Sequence, residues 1–267
     1  MPTILIVLPT MGQVATGFLT SMIGLTQQFA RHGITFGLKH YEFSDLVVSR
    51  NYLMSYFLSD TRYTHALMLD SDLIFRPDQI FRMLDFNRDF VVAPYPRRTM
   101  SFDRFHDAVL QNQACPPEQR RTPDELAAAS FSYTIQPGFF PDQPGAPRYE
   151  GGFVTSGGVG AGCVLLRRAV PEAMVARGVA HPLPFQGTLP IYADAPRFHD
   201  FFSHKLDEAG EFYYGEDQSF CHRWVVGCGG DIWVDTRAKI GHVGAFTFWG
   251  DPQQVQSPPF APPPPQE

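Results

Sequence analysis

Tyr63-Thr-His-Ala-Leu-Met-Leu-Asp-Ser-Asp-Leu-Ile-Phe75 is the stretch that decides the fold. Its apolar run, Ala66 to Leu69, reads as a short strand buried on both faces, the kind found inside parallel sheets. The run stops on two carboxylates one residue apart, Asp70 and Asp72, with Ser71 between them. Apolar residues resume at once with Leu73, Ile74 and Phe75. Charges set into an otherwise buried segment are costly unless something pairs with them. Two readings fit this pattern: a divalent metal bound to a phosphate, or a tight turn that lifts both side chains into solvent, aspartate being a common turn residue.

Working outward, Ile4-Leu-Ile-Val-Leu8 is a second buried-strand signal, stopped by Pro9, with Thr10, Met11 and Gly12 forming a loop. Phe18, Met22, Leu25 and Phe29 then recur at helical spacing, and Gly33 supplies the stop. Thr35 to His40 reads as a strand, Val47 to Leu58 as an amphipathic helix with Arg50 and Asn51 in its first turns. After the opening stretch, Pro77 starts a helix at a favourable first position, and Phe90 to Ala93 is a further strand. Strands alternating with helices on this scale predict an α/β fold whose central sheet is mostly parallel and covered on both faces. In such sheets ligands bind outside the carboxyl ends of the strands. Thr10 and the Asp70/Asp72 pair fall at those ends.

Residues 97–150 differ. Arg97-Arg98 leads into a segment rich in proline and without a sustained period, read as an irregular insertion with one short helix near Glu125 to Ala129. Long irregular loops are often lids or binding loops; simple decoration of the sheet edge fits equally. Gly151 to Gly162 is glycine-rich and runs into a strand rather than a helix, which excludes a P-loop and a dinucleotide fingerprint. Glycines there allow close approach of a neighbouring strand or ligand. Glu216 and Asp217 open a helix whose buried face is Phe220, Cys221, Trp224 and Val225. Capping with a favourable dipole interaction accounts for such a pair, as does a catalytic role. Ile232-Trp-Val234 is a last strand, followed by His242 between glycines, a turn residue or a ligand. Residues 251–267 read as a proline-rich disordered tail.

Composition bounds the rest. At 267 residues, with 44% hydrophobic and 14% aromatic side chains, the chain suits one α/β domain with an ample core. A net charge of −6 argues against a nucleic-acid-binding face. The 4 cysteines show no C-x-x-C spacing, which suggests a reducing compartment without disulfides or zinc. No apolar window approaches a transmembrane span and no signal peptide is evident, so a cytoplasmic location is expected.

Taken together, Val7-Leu-Pro-Thr10, Ser49-Arg-Asn51, Leu69-Asp-Ser-Asp72, Gly160 to Leu166, Tyr214-Gly-Glu-Asp217 and Gly241-His242 resemble, in this order, the GT-A superfamily of nucleotide-sugar glycosyltransferases, especially its family-2-like bacterial branch. The resemblance covers nearly the whole chain except the insertion and the tail. It implies a single GT-A-type, Rossmann-like catalytic domain over 1–250, with 1–96 as the nucleotide-binding part, 97–150 as the insertion and 151–250 as the acceptor and catalytic part. It also implies roles. Pro9 and Thr10 would lie near the nucleotide base, with Arg50, Asn51, Asp70 and Ser71 holding the donor. Asp72 and His242 would ligate Mn²⁺ or Mg²⁺, and Asp217 would be the base, with Glu216 as its neighbour or alternate. The expected activity is metal-dependent transfer of a hexosyl-type sugar from a nucleoside-diphosphate sugar of UDP or GDP type to a glycan or other hydroxyl acceptor.

The chemistry agrees with that set. Carboxylate, histidine and phosphate oxygens suit Mn²⁺ somewhat better than Mg²⁺, and an acceptor hydroxyl needs a positioned base as it attacks. A helix start would, however, lower the pKa of Asp217. The aromatic run Phe246-Thr-Phe-Trp249 is expected to fold over the bound donor, or, for Phe246 above all, to pack into the core. Two alternatives stand beside this reading. A nucleotidyltransferase on a similar sheet would need a basic loop after the first strand, which Thr10-Met-Gly-Gln13 lacks. A non-catalytic nucleotide- or glycan-binding module would keep the fold without the base.

Overall fold

The computed structural model describes residues 1–136, 140, 145–183, 198–207 and 209–245. The expected aromatic lid at 246–249 and the tail at 251–267 lie outside these residues. Eight strands form one central sheet: β1 (Thr3–Thr10), β2 (Thr35–Glu42), β3 (His65–Leu69), β4 (Phe90–Val92), β5 (Tyr149–Glu150), β6 (Phe153–Ser156), β7 (Cys163–Arg167) and β8 (Ile232–Asp235). Their order is β2-β1-β3-β7-β4-β8-β6-β5. Most strands of the sheet point the same way, as the alternation of strands and helices predicts. β7 runs against its neighbours β3 and β4, and β6 runs against β8 and β5.

Side-chain alternation along the strands divides the core into two layers. Ile4, Ile6 and Leu8 of β1, with Leu67 and Leu69 of β3, pack under α1 (Thr16–Arg31) and α3 (Pro77–Phe86) through Phe18, Leu25, Phe29, Ile80 and Met83. Leu5, Val7, Ala66 and Met68 face the other way, onto Leu53 and Phe57 of α2 (Leu46–Ser59) and Phe220 and Cys221 of α7 (Glu216–His222). Val170 and Met174 of α6 (Ala169–Ala176) complete that second layer. The result is a three-layer α/β sandwich. No helix among the described residues is long and apolar enough to cross a membrane.

The insertion holds more structure than its sequence suggests. The expected short helix is present as α5 (Pro123–Ala129), closed by a reciprocal cap between Thr122 and Glu125. Before it, however, lies an unanticipated 13-residue helix, α4 (Phe102–Ala114). Only Ala108 of α4 is buried. Phe102, Phe105 and Val109 do recur at helical spacing, but the stripe they form stays outside the core. The helix rests on local terms: Ser101 accepts from the Arg104 amide at its start, and its interior is free of glycine and proline. Ahead of α4, Pro96–Met100 pairs with Phe131–Tyr133 in a separate two-stranded ladder.

Leu67, in the middle of β3, is fully buried. Leu67→Ala is expected to lower unfolding free energy by about 2–5 kcal/mol. Urea titration should show a lower midpoint at unchanged slope.

Candidate active site

The site lies where the carboxyl ends of β1 and β3 meet the beginning of the reversed β7. The Asp70 amide donates to the Gly162 carbonyl at 2.8 Å, which holds the end of β3 against the start of β7. Gly162 has no room for a side chain: a Cβ there would lie 2.5 Å from Asp70 Oδ2 and 2.7 Å from the Tyr95 ring. The glycine-rich run thus admits a close approach, by side chains of β3's end and of the segment after β4.

Beneath this junction lies Arg50, on α2 and only 2% exposed. Its Nη2 donates to Asp70 Oδ1 at 3.2 Å, and its Nη1 reaches Glu216 Oε1 at 3.3 Å and also Asp217 Oδ1. Three carboxylates from the two halves of the chain therefore share one buried guanidinium. A buried charge is tolerated only when paired in this way, and the carboxylates hold Arg50 firmly protonated, above its ordinary range. Glu216 and Asp217 do open α7, but neither caps it. Gly215 takes the N-cap position, with no side-chain cap bond. Burial pushes the Asp217 carboxyl up to about 6, against the lowering effect of Arg50 and with Glu216 and Asp70 adding to the rise. The expected lowering at a helix start is outweighed by desolvation.

Asp72 points to the other side. Its Oδ2 is ion-paired with Arg98, while its buried Oδ1 has no hydrogen-bond partner and lies 3.5 Å from His242 Nε2. His242 is held there by backbone: Gly241–His242 pairs with Leu73–Ile74, and the Val243 amide donates to the Asp72 carbonyl at 2.9 Å. The imidazole places Nδ1 2.8 Å from the Pro96 carbonyl, an acceptor that fixes the proton on Nδ1 and leaves the Nε2 lone pair facing Asp72. Burial holds this imidazole below its ordinary pKa, which favours the neutral ring. An orphaned carboxylate oxygen facing an imidazole whose far nitrogen is anchored to a carbonyl is the donor set of a metal ligand pair. The Asp72 and His242 side chains therefore fit a divalent cation. No group of three or more such side chains converges among the described residues, so the remaining ligand positions would fall to water or to a bound phosphate.

Two clefts flank the junction. One, of about 590 Å³, is lined by Pro9, Thr10, Asp70, Ser71, Asp72 and Arg98 among others. The second, of about 460 Å³, is lined by Arg97, Thr134, Gly160, Phe212, Tyr213, Tyr214, Glu216 and Asp217 among others. Of the residues singled out in sequence, Pro9, Thr10, Asp70, Ser71 and Asp72 fall in the first cleft, Glu216 and Asp217 in the second, and His242 beside Asp72. The Thr10 hydroxyl is already engaged in its own turn, donating to the Gln13 carbonyl and accepting from the Gly12 amide. Arg50 lies under the clefts with its guanidinium committed to carboxylates. Asn51 turns away altogether. Its carboxamide oxygen accepts from the Phe201 and Phe202 amides, each at 2.8 Å, and its nitrogen donates to Asp200. It ties down the 199–202 segment and lines neither cleft, so the direct donor contact expected of it has no free group here.

Three residues went unassigned in sequence. Tyr95 is 4% exposed, accepts from the Gly162 amide, and stacks edge-on to His242 at 5.1 Å. Burial, reinforced by Asp70, keeps its phenol protonated. Arg97 and Arg98 are neighbours on one extended strand, so the pleat sends them to opposite clefts. The run Pro94-Tyr-Pro-Arg-Arg98, directly after a strand end, carried the available signal.

The raised Asp217 pKa has a stability consequence. The carboxyl binds its proton more tightly folded than unfolded, so its contribution to stability is fully present below pH ~4 and is lost as pH rises through 6. Asp217→Asn removes that loss. The thermal midpoint of the variant should exceed that of the parent at pH 7, and the gap should close by pH ~4, as read in a pH series of melting curves.

No protein-family model matches the chain, and no curated protein matches it. Solved structures similar to it include A197 from STIV, with TM-score 0.44 and 13% identity over 91% of this chain and 86% of that one. The Drosophila β-1,4-galactosyltransferase 7 solved with manganese, UDP-Gal and xylobiose gives TM-score 0.40 and 13% identity over 90% and 71%. GalNAc-T7 with UDP, GalNAc and Mn²⁺ gives 0.45 and 9% over 97% and 47%. Likenesses of this extent assign no residue.

Proposed function

We propose that the chain is a metal-dependent glycosyltransferase that moves a sugar, of hexosyl type, from a nucleoside-diphosphate sugar to an acceptor hydroxyl. The observation that carries the reading is that Asp72, backed by His242, lines one cleft and the raised-pKa Asp217 a second, with one buried arginine between them. The first cleft takes the donor: Pro9 and Thr10 lie toward the base, Asp70 and Ser71 toward the ribose, and Asp72 with His242 at the diphosphate. A divalent ion held there supplies Lewis-acid neutralisation of the leaving phosphate. The second cleft takes the acceptor. Asp217 Oδ accepts the proton of the acceptor hydroxyl as its oxygen bonds to the anomeric carbon, and the bond from that carbon to the phosphate oxygen breaks. Glu216 shares Arg50 and holds the cluster's geometry. A base of pKa near 6 is a stronger acceptor of that proton than an ordinary aspartate. Phe212 and Tyr213, both exposed on the second cleft, offer flat apolar faces to a sugar ring. In this reading 1–96 is the donor half and 151–250 the acceptor half.

Two measurements test it. Each of UDP, GDP, CDP and dTDP is added to the chain with and without Mn²⁺. One of them at a hundred times its dissociation constant should stabilise the fold by about 2.7 kcal/mol, visible as a thermal shift that depends on Mn²⁺. A panel with no shift would sink the proposal. With the donor found, Asp217→Asn is expected to keep donor binding and lose about 10²- to 10⁴-fold in transfer rate, and kcat/KM of the parent should fall below pH ~6. A variant that transfers at the parent rate would remove Asp217 from the chemistry.

A further inference from the structure

We propose that Arg98 is a resident stand-in for the divalent cation. It holds Asp72 while the cleft is empty, yields that carboxylate when the metal arrives, and then receives the diphosphate. The inference rests on the reading of the first cleft given above.

Asp72 presents two oxygens in different states: Oδ2 is paired with Arg98, and Oδ1 is buried without a hydrogen-bond partner, facing His242 Nε2. A guanidinium carries donors only. Held on Oδ2, its positive charge repels a cation that approaches the neighbouring Oδ1. Arg98 and a metal therefore compete for Asp72.

Arg98 and Arg50 are built differently. Arg50 is 2% exposed and locked among three carboxylates. Arg98 is 48% exposed, and Asp72 is its ion-pair partner among the described residues. An exposed pair of that kind is worth at most about 1 kcal/mol, little enough for a metal to displace. Arg98 also stands on the ladder outside the central sheet, so moving it disturbs no core packing. Its aliphatic stem lies against Gly244, where a Cβ would come 2.6 Å from Arg98 Cδ. The stem is thus in register with the segment that delivers His242. A displaced guanidinium remains in the first cleft, where its planar fork suits two phosphate oxygens.

The test uses the full chain and reads binding rather than turnover. Mn²⁺ alone is titrated calorimetrically into the parent, Arg98→Ala, Arg98→Gln and Asp72→Asn. The glutamine variant keeps most of the stem over Gly244 and isolates the charge. Both Arg98 variants are expected to bind Mn²⁺ about fivefold more tightly than the parent, and Asp72→Asn to lose binding. UDP, GDP, CDP and dTDP are then titrated in the presence of Mn²⁺. The nucleotide that binds the parent should bind the Arg98 variants more weakly, opposite in sign to the metal effect. Mn²⁺ affinity unchanged or reduced in both Arg98 variants, with Asp72→Asn still losing it, overturns the stand-in role and leaves the cleft reading intact. Tighter Mn²⁺ binding with unchanged nucleotide affinity overturns the transfer of Arg98 to the diphosphate. No binding of Mn²⁺ or of any nucleotide by any of the proteins overturns the cleft reading, and the proposal with it.

Discussion

Arg50 carries the charge that the three carboxylates around it share, and the rest of the site follows from that sharing. Asp70 comes from the end of β3, Glu216 and Asp217 from the start of α7, and the guanidinium that joins them is sealed beneath. Without it, carboxylates from the two halves of the chain would repel one another across a desolvated junction. With it, the ends of β3 and α7 are pinned at a fixed spacing, and two clefts open on either side of the pin. The carboxylates keep Arg50 protonated against the opposing effect of burial, while burial raises the pKa of Asp217 toward neutrality.

The second layer of constraint is steric. Asp70 can turn toward Arg50 only because Gly162 leaves space for its other oxygen, and Tyr95 fills what remains. His242 reaches Asp72 through a two-residue ladder and a single amide bond from Val243. These are backbone devices. They place functional side chains without asking those side chains to contribute to the core.

That distinction explains what could be read from the chain beforehand. Periodicity and stop signals located β1, α1, β2, α2, β3, α3 and β4 closely, and all of these but the edge strand β2 bury side chains in the core. The proximity of Asp70 to a β-strand end was legible for the same reason. α4 is the exception: Phe102, Phe105 and Val109 do share helical spacing, but they lie outside the core, and the prolines that follow give the whole of 97–150 an irregular look. Arg50 and Asn51 illustrate a finer limit. They are adjacent and alike in sequence context, yet one faces the carboxylates and the other ties down Phe201 and Phe202. Neighbours on a helix point about 100° apart, and which direction leads to the cleft depends on where residues 150 positions later come to rest. The pairing of Asp72 with Arg98 was hidden likewise, because it crosses from the central sheet to a ladder whose existence the sequence does not announce.

The reversal of β7 has a mechanical consequence. In a wholly parallel sheet, the surface at the carboxyl ends is made of loops, which are the softest part of the fold. Here a strand enters the sheet at that surface instead of leaving it. Asp70 and Ala93 donate across to Gly162 and Cys163, so the backbone under the clefts is laced on both sides. The floor thereby inherits the stiffness of the middle of the sheet.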